Sequence, residues 1–300
     1  MDNKILVSVI VVTYNSSKTV LETLESIKSQ TYERIELVVT DDHSKDDTVQ
    51  VCQKWIDDNQ TRFVRAKLIT SDTNTGVACN ANRGFANSHG EWIKCIAGDD
   101  MLLPNCIELF LEFAGKHPDC RIIEGKSKCF GSDKAFVANH QKFQDGLRKY
   151  YNRPLKTMYH DALRFVYLAG PPLIIKKDLI DDIGGFDVRY PCCEEFPFQI
   201  EAIKRTYLYY IDAYVVRYRV EQGSLSRNGS QDRCKNDIYK YFDEERGRLM
   251  LKEHMYFSWW DEKMRETMYR HNYPEIVNTI LINTSVCYWW QRFKRWFHIK

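Results

Sequence analysis

The sequence predicts an α/β fold with a mostly parallel sheet, and three observations predict it. Apolar, β-branched runs recur along the first half, helical patterns separate them, and two of the runs end directly in acidic pairs. Strands spaced by helices of about 10–15 residues are parallel crossovers. Right-handed connection then leaves few topologies.

The elements follow in order. Val7–Val12 is a continuous β-branched run, and a helical stretch follows Ser16-Ser17 through Ser29. Ile35–Val39 is a second strand and Asp46–Asp57 a second helix. Lys67–Ile69 reads as a short third strand, Val77–Asn87 as a helix after Gly76, and Trp92–Ala97 as a fourth strand. Pro104 then opens a helix to Gly115, as a proline in the first turn does. Gly125–Tyr159 has no clean period and is expected to form loops and short pieces over the sheet. Beyond it, Leu173–Ile175 is a strand, followed by a helix to Ile183 and then Gly184-Gly185-Phe186. Glu194–Arg205 suits a helix, and Tyr207–Ile211 and Val215–Val220 suit strands. From Asp232 onward the pattern is helical. The expected division is a domain over 1–231, with a nucleotide-binding half to about 120 and an acceptor half over 121–231. A helical region over 232–300 completes the chain.

Composition narrows the function. A 300-residue chain with 44% hydrophobic and 28% charged residues is globular and long enough to bury a core without disulfides. Its 43 bases against 41 acids leave no electrostatic footprint for nucleic acid, so no nucleic-acid partner is expected. No apolar run reaches the roughly 18 residues of a membrane span. The apolar N-terminal run lacks a basic flank and a small-residue cleavage site, so it reads as a buried strand rather than a secretion signal. The ten cysteines form no CxxC pair, which excludes zinc-ribbon and dithiol redox readings and fits reduced thiols in a cytoplasm. The four Asn-x-Ser/Thr sequons then read as chance matches.

Ligands of an open parallel sheet bind beyond the carboxyl ends of its strands. Thr13-Tyr14-Asn15, Asp41-Asp42 and Asp99-Asp100 stand at those ends. No GxGxxG follows the first strand and no GxxxxGK[ST] occurs, so the phosphate cradles of dinucleotide and P-loop enzymes are absent. An acidic sheet edge holds a phosphate by another route, a divalent cation bridging carboxylate and phosphate oxygens. The chain has five Asp-Asp pairs, but 46–47, 57–58 and 181–182 fall at helix ends, where solvation or the macrodipole accounts for them. Only 41–42 and 99–100 directly follow apolar strands.

Blocks in a fixed order then carry a resemblance. VSVIVVTYN at 7–15, LESIKSQTY at 24–32 and IELVVTDDHSKDDT at 35–48 come first. Asn74-Thr75-Gly76, Asn82-Arg83-Gly84, Gly90-Glu91-Trp92-Ile93 and Gly98-Asp99-Asp100 follow. Together they resemble the family 2 glycosyltransferases of GT-A fold over about residues 5–105, with weaker likeness to about 230. The resemblance implies that Val12 and Tyr14 line the nucleotide and that Asp42 bonds its base or ribose. It also implies that Asp100 ligates Mn2+ or Mg2+ on the donor diphosphate, with Asp99 on the ribose or supporting the metal. After Gly184-Gly185-Phe186-Asp187, the family's Glu-Asp is replaced here by Glu194-Glu195. Glu195 would be the general base, with Glu194 orienting or capping. Ala81 stands where many relatives have Arg, and Glu221 where a His is frequent.

The expected function is a metal-dependent, inverting transfer of a sugar from a nucleotide-diphosphate donor, UDP-sugars favoured. The acceptor would be a glycan or lipid-linked glycan in surface-polysaccharide synthesis. A catalytically silent nucleotide-sugar binding module is the alternative, kept open by Glu195, Ala81 and Glu221. A sugar-phosphate nucleotidylyltransferase is a further one, weakened because Thr13–Val20 offers only Lys18 as a base. The segment 276–300 interleaves Trp289, Trp290, Phe293, Trp296 and Phe297 with four bases and no acid. Two readings stand for this tail: a helix on an anionic membrane surface through 288–300, which would place a cytoplasmic enzyme peripherally on the inner face, or aromatics docked on the main domain.

Overall fold

The structure, a computed structural model, describes residues 4–221 and 230–271. Among them the chain forms two compact units that meet between Cys234 and Lys235 in sequence. The first unit opens with β1 (Val7–Thr13), α1 (Val20–Lys28), β2 (Ile35–Asp41) and α2 (Thr48–Asn59). It continues with β3 (Arg65–Thr70), α3 (Val77–Ala86), β4 (Trp92–Ala97), β5 (Met101–Leu102) and α4 (Cys106–Lys116). Then come β6 (Ile122–Phe130), α5 (Lys134–Leu147), α6 (Leu155–Arg164), β7 (Leu173–Lys176), α7 (Lys177–Ile183), α8 (Glu195–Ile203) and β8 (Tyr209–Arg219).

One sheet of eight strands runs β3-β2-β1-β4-β7-β6-β8-β5. The first four are parallel, with Val7 opposite both Ile35 and Trp92, so their carboxyl ends share one edge. β7 joins antiparallel to both β4 and β6, and β6 runs parallel to β8. The expected parallel sheet is therefore found in β1–β4, and the rest of the sheet is mixed. β1 is central, and its two faces pack different helices. Val7, Val9 and Val11 share a core with Leu24, Ile27 and Trp55 from α1 and α2. Ile10 faces α3, which lies so close that a Cβ on Gly84 would come within 2.4 Å of the Ile10 side chain. Each fully buried Leu or Ile of this core contributes about 1.5–3 kcal/mol.

Three expectations are corrected. The segment 125–159 is not loops: it holds most of β6, all of α5 and the start of α6. Its strand and helices are amphipathic on a mixed sheet, so neither period stood out. The two strands expected at Tyr207–Ile211 and Val215–Val220 are one, β8, whose pairing with β6 contains register shifts around Lys126 that disguise its alternation. Pro104 precedes the Asn105 cap instead of opening the helix, and its carbonyl accepts the Thr31 amide at 2.9 Å.

The second unit is helical as far as it is described. α9 (Ser230–Tyr241) runs into one π-helical turn at Phe242–Arg246, then α10 (Gly247–Lys252) and α11 (Tyr256–His271). Arg246, 1% exposed, ion-pairs with Glu262 there. The tail 288–300 lies outside the described residues.

Candidate active site

The loops after β1 and β2 are sewn together. Asn15 takes a left-handed φ of 51°, its amide donates to Ser44 Oγ at 2.8 Å, and its Oδ1 accepts the Lys45 amide at 2.8 Å. Asp46 accepts the Ser17 amide at 3.1 Å and its hydroxyl at 2.7 Å, and the amide and hydroxyl of Thr48 on its other oxygen. Partial burial opposes ionisation, but these hydrogen bonds outweigh it and hold Asp46 at about 2. Tyr14 is left protruding from this seam, 37% exposed, and Val12 is partly exposed opposite Thr40 and Ala97.

Asp41 and Asp42 divide the labour. Asp41 is fully buried and accepts Thr13 Oγ1 at 3.0 Å and the Ser44 amide at 2.9 Å, so it shapes the turn. Asp42 accepts the amides of Thr75 and Gly76 at 2.9 and 2.6 Å and the Thr75 hydroxyl at 2.6 Å. Gly76 needs its φ of 89° to present that amide. Arg83 stands 3.5 Å from Asp42 and donates to Asn80 Oδ1 at 2.8 Å. Asp42 thus anchors the loop that starts α3, at the same corner as Tyr14. Ala81 is buried, and Arg83 supplies the cation at this corner instead.

The end of β4 carries the second acidic pair. Thr19 and Thr23 of the α1 region donate to the Gly98 and Asp100 carbonyls at 2.8 and 2.7 Å, fixing the turn. The Arg219 amide donates to Asp100 Oδ1 at 2.8 Å, and its Nε donates to the Asp99 carbonyl at 2.9 Å. Arg219 itself stacks 4.6 Å over Phe130 and reaches Glu22 at 3.0 Å. Asp100 is 1% exposed and its Oδ2 is buried with no partner. Burial, then the Asp99 charge, push Asp100 well above the carboxylate range; burial pushes Asp99 up against the pull of Arg219. An orphaned buried oxygen in a pair that resists ionising fits a divalent cation. No cluster of three metal-ligating side chains exists among the described residues. The donor set fits a cation of the kind held by one or two carboxylates plus substrate phosphates. Glu221 does not join: it accepts from the Ser132 amide at 3.2 Å and from the Ser132 hydroxyl.

Glu194 and Glu195 stand at the start of α8, and α3 places them. Asn82 accepts the Phe186 amide and donates to its carbonyl, both at 2.8 Å. Gly185, φ 80°, lies against that clasp, where a Cβ would come within 2.5 Å of Asn82 Oδ1. Phe186 then packs on Phe85 and Phe198, at ring distances of 5.4 and 5.2 Å. Glu194 is 8% exposed; Glu195 is half-buried, and burial pushes it up against the pull of its own amide. Burial pushes the Tyr218 phenol up, and the charges of Asp100, Asp99 and Glu195 add to that push. Sequence reasoning missed Arg219, two residues before Glu221, and the clasp by Asn82, whose partner is 104 residues away.

Cys52 and Cys106 are free thiols, and burial pushes both up to about 12, which leaves them inert.

Residues 8–168 match the family model described as glycosyl transferase family 2. The glycosyltransferase GlyG of Streptococcus pneumoniae serotype 4 is 34% identical over 253 residues, covering 80% of this chain and 79% of that protein. The putative glycosyltransferase EpsE of Bacillus subtilis is 33% identical over 117 residues, or 39% of this chain and 41% of that one. An uncharacterized glycosyltransferase of Haemophilus influenzae is 26% identical over 203 residues, 66% of this chain; of its own length the chain spans 62%. Among solved structures, Staphylococcus aureus TarS 1-349 in complex with UDP aligns with TM-score 0.57 at 19% identity, over 82% of this chain and 74% of that chain. The mannosyltransferase PcManGT of Pyrobaculum calidifontis, in complex with GDP-Man and Mn2+, aligns at 0.58 and 18%, over 81% and 64%. With the family model covering more than half of its length and the sheet and helices of those structures, the chain belongs to glycosyl transferase family 2 and carries a glycosyltransferase domain of GT-A fold.

Proposed function

We propose that this chain is a metal-dependent, inverting glycosyltransferase that moves a sugar from a nucleotide-diphosphate donor, a UDP-sugar by preference, to a glycan or lipid-linked glycan. The observation that carries the reading is the orphaned Oδ2 of Asp100 beside Asp99, on the sheet edge that also carries Tyr14 and Asp42. Complexes of TarS with UDP and UDP-GlcNAc, and of PcManGT with GDP-Man and Mn2+, support a nucleotide-sugar donor.

Tyr14 covers the base and the Asp42–Thr75–Gly76 corner binds the base or ribose beside partly exposed Val12. Asp100, supported by Asp99, holds Mn2+ or Mg2+, which supplies positive charge against the departing diphosphate. Glu195 takes the proton of the acceptor hydroxyl as its oxygen bonds to the anomeric carbon and the carbon–diphosphate bond breaks on the opposite face. Burial raises its affinity for a proton, which suits a proton acceptor. Glu194, nearly buried, orients the helix start. Acceptor choice falls to the segments over β6 and to the C-terminal helices. The basic-aromatic segment 288–300 supports a contact with an anionic membrane, and a lipid-linked acceptor in surface-polysaccharide synthesis on the cytoplasmic face.

Thermal melting with UDP, GDP, UDP-GlcNAc and GDP-Man, each with and without Mn2+ or Mg2+, tests the reading. A ligand at 100 times its Kd adds about 2.7 kcal/mol, which is readily seen. Stabilisation by one nucleotide only when metal is present, with slow release of its diphosphate, is expected. No response to any of them, or a response indifferent to metal, refutes the proposal.

A further inference from the structure

The loop between α6 and β7 is held by three buried polar side chains from three separate elements. Gln199 of α8 accepts the Tyr167 and Leu168 amides at 2.9 and 2.8 Å and donates to the Phe165 carbonyl at 3.1 Å. Glu124 of β6 accepts the Ala169 amide at 3.2 Å and the Tyr151 hydroxyl. Lys94 of β4, 0% exposed, donates to the Pro171 carbonyl and, at 2.9 Å, to the Cys95 carbonyl. Both acceptors are neutral, and burial pulls the proton affinity of Lys94 down. Burying such groups costs free energy that apolar residues would spare, and here they all fix the main chain of one loop. The loop in turn passes close to Glu195. A Cβ built on Gly170 would have one heavy-atom neighbour within 4 Å, Glu195 Oε1 at 3.5 Å.

We propose that 169–171, tethered by Lys94 and Glu124, is the wall against which the Glu195 carboxylate is set, and that Gly170 is bare so that an acceptor hydroxyl can reach it. The inference rests on the general-base reading of Glu195. Lys94 and Gly170 are positioning residues, acting on the reaction only through Glu195.

The test reads Glu195 directly. In the full chain labelled with 13C at glutamate side chains, its carboxyl resonance is identified by its loss in Glu195→Gln and titrated. The titratable groups with an electrostatic link to Glu195 include Tyr218 of β8, on which Asp99 and Asp100 also act, and Cys95 of β4, and Glu194 is its chain neighbour. Gly170→Ala puts a methyl on Oε1, excludes water and should raise the Glu195 pKa by about 0.5 unit or more, a threefold change in its ionisation. Lys94→Met frees the wall, admits water and should lower it. Lys94 also acts through space on Asp100, so this variant is judged on the Glu195 titration alone. A purely structural role would lower the melting temperature without moving the titration. If Lys94→Met does not fold, Gly170→Ala decides, because its added atom meets nothing else. A Glu195 titration unmoved in Gly170→Ala overturns the wall and leaves the base assignment intact. Full turnover by Glu195→Gln overturns the base assignment instead, and the titration, read without turnover, still reports the wall.

Discussion

Asp46→Asn probes the seam that joins the loop after β1 to the start of α2, beside the corner proposed for the nucleotide. The Asp46 carboxylate accepts four hydrogen bonds, two from Ser17 and two from Thr48, and so joins the loop after β1 to the start of α2. Its fall from 3.8 to about 2 corresponds to about 2.4 kcal/mol of preference for the charged form. The group is partly open to water, and screening reduces that to about 1–2 kcal/mol. The folded pKa is depressed, so this stability is fully present above the unfolded pKa and is lost as pH falls from near 4 through about 2. Asparagine turns an N–H toward donors already pointing inward, as a protonated Asp46 turns an O–H. Variant and wild type should therefore converge in acid. Urea unfolding of both proteins at pH 7, 5, 4 and 3 measures the difference directly. A gap of about 1–2 kcal/mol at pH 7 that shrinks toward pH 3 is expected, together with weaker UDP binding because Tyr14 loses its footing. A gap that is absent at neutral pH, or that stays constant into acid, refutes the reasoning.

Further outcomes follow from the same geometry. Asp100→Ala should keep the fold and abolish Mn2+-dependent UDP binding in calorimetry, while Asp57→Ala on α2 should change nothing; unchanged metal dependence would sink the metal assignment. Glu195→Gln should slow transfer by about 10²–10⁴ with donor affinity preserved, and Glu194→Gln should be milder. Glu195→Asp should also lose activity, since an angstrom of retreat costs about 10² in rate. Asn82→Ala strands the amide and carbonyl of Phe186 and should cost about 1–3 kcal/mol in chemical denaturation, with a fall in turnover larger than any change in UDP affinity. Deleting 288–300 should release the protein from anionic vesicles in a flotation assay, and binding by the full chain should fall with salt; loss of solubility on deletion would favour packing instead.

Much of the first hundred residues was legible because each signal was local. Val7–Val12 and Trp92–Ala97 are central strands buried on both faces, so their apolar runs are continuous, and the acids that follow fall at one sheet edge by parallel topology alone. The second half was less legible. Strands β6 and β8 pair across about ninety residues with shifted register, and α5 covers them with a polar, aromatic surface. Glu221 illustrates the limit: it stands where relatives frequently have His, but its carboxylate turns to Ser132.

By itself the sequence determined the parallel half-sheet, the order of its acidic turns and the family, because β-branched runs, caps and strand-end acids act over a few neighbouring residues. Only the tertiary structure decided what each acid does. Asp41 and Asp42 are adjacent and chemically identical, yet one closes a turn while the other anchors the loop at Thr75 and Gly76. Asp100 acquires its orphaned oxygen because the Arg219 amide, 119 residues away, takes the other. Glu195 gains its raised proton affinity from burial at the start of a helix whose approach Asn82, 104 residues earlier, clasps at Phe186. A carboxylate's charge and reactivity depend on its solvation and on the donors around it, and those are set by segments that meet only when the chain folds.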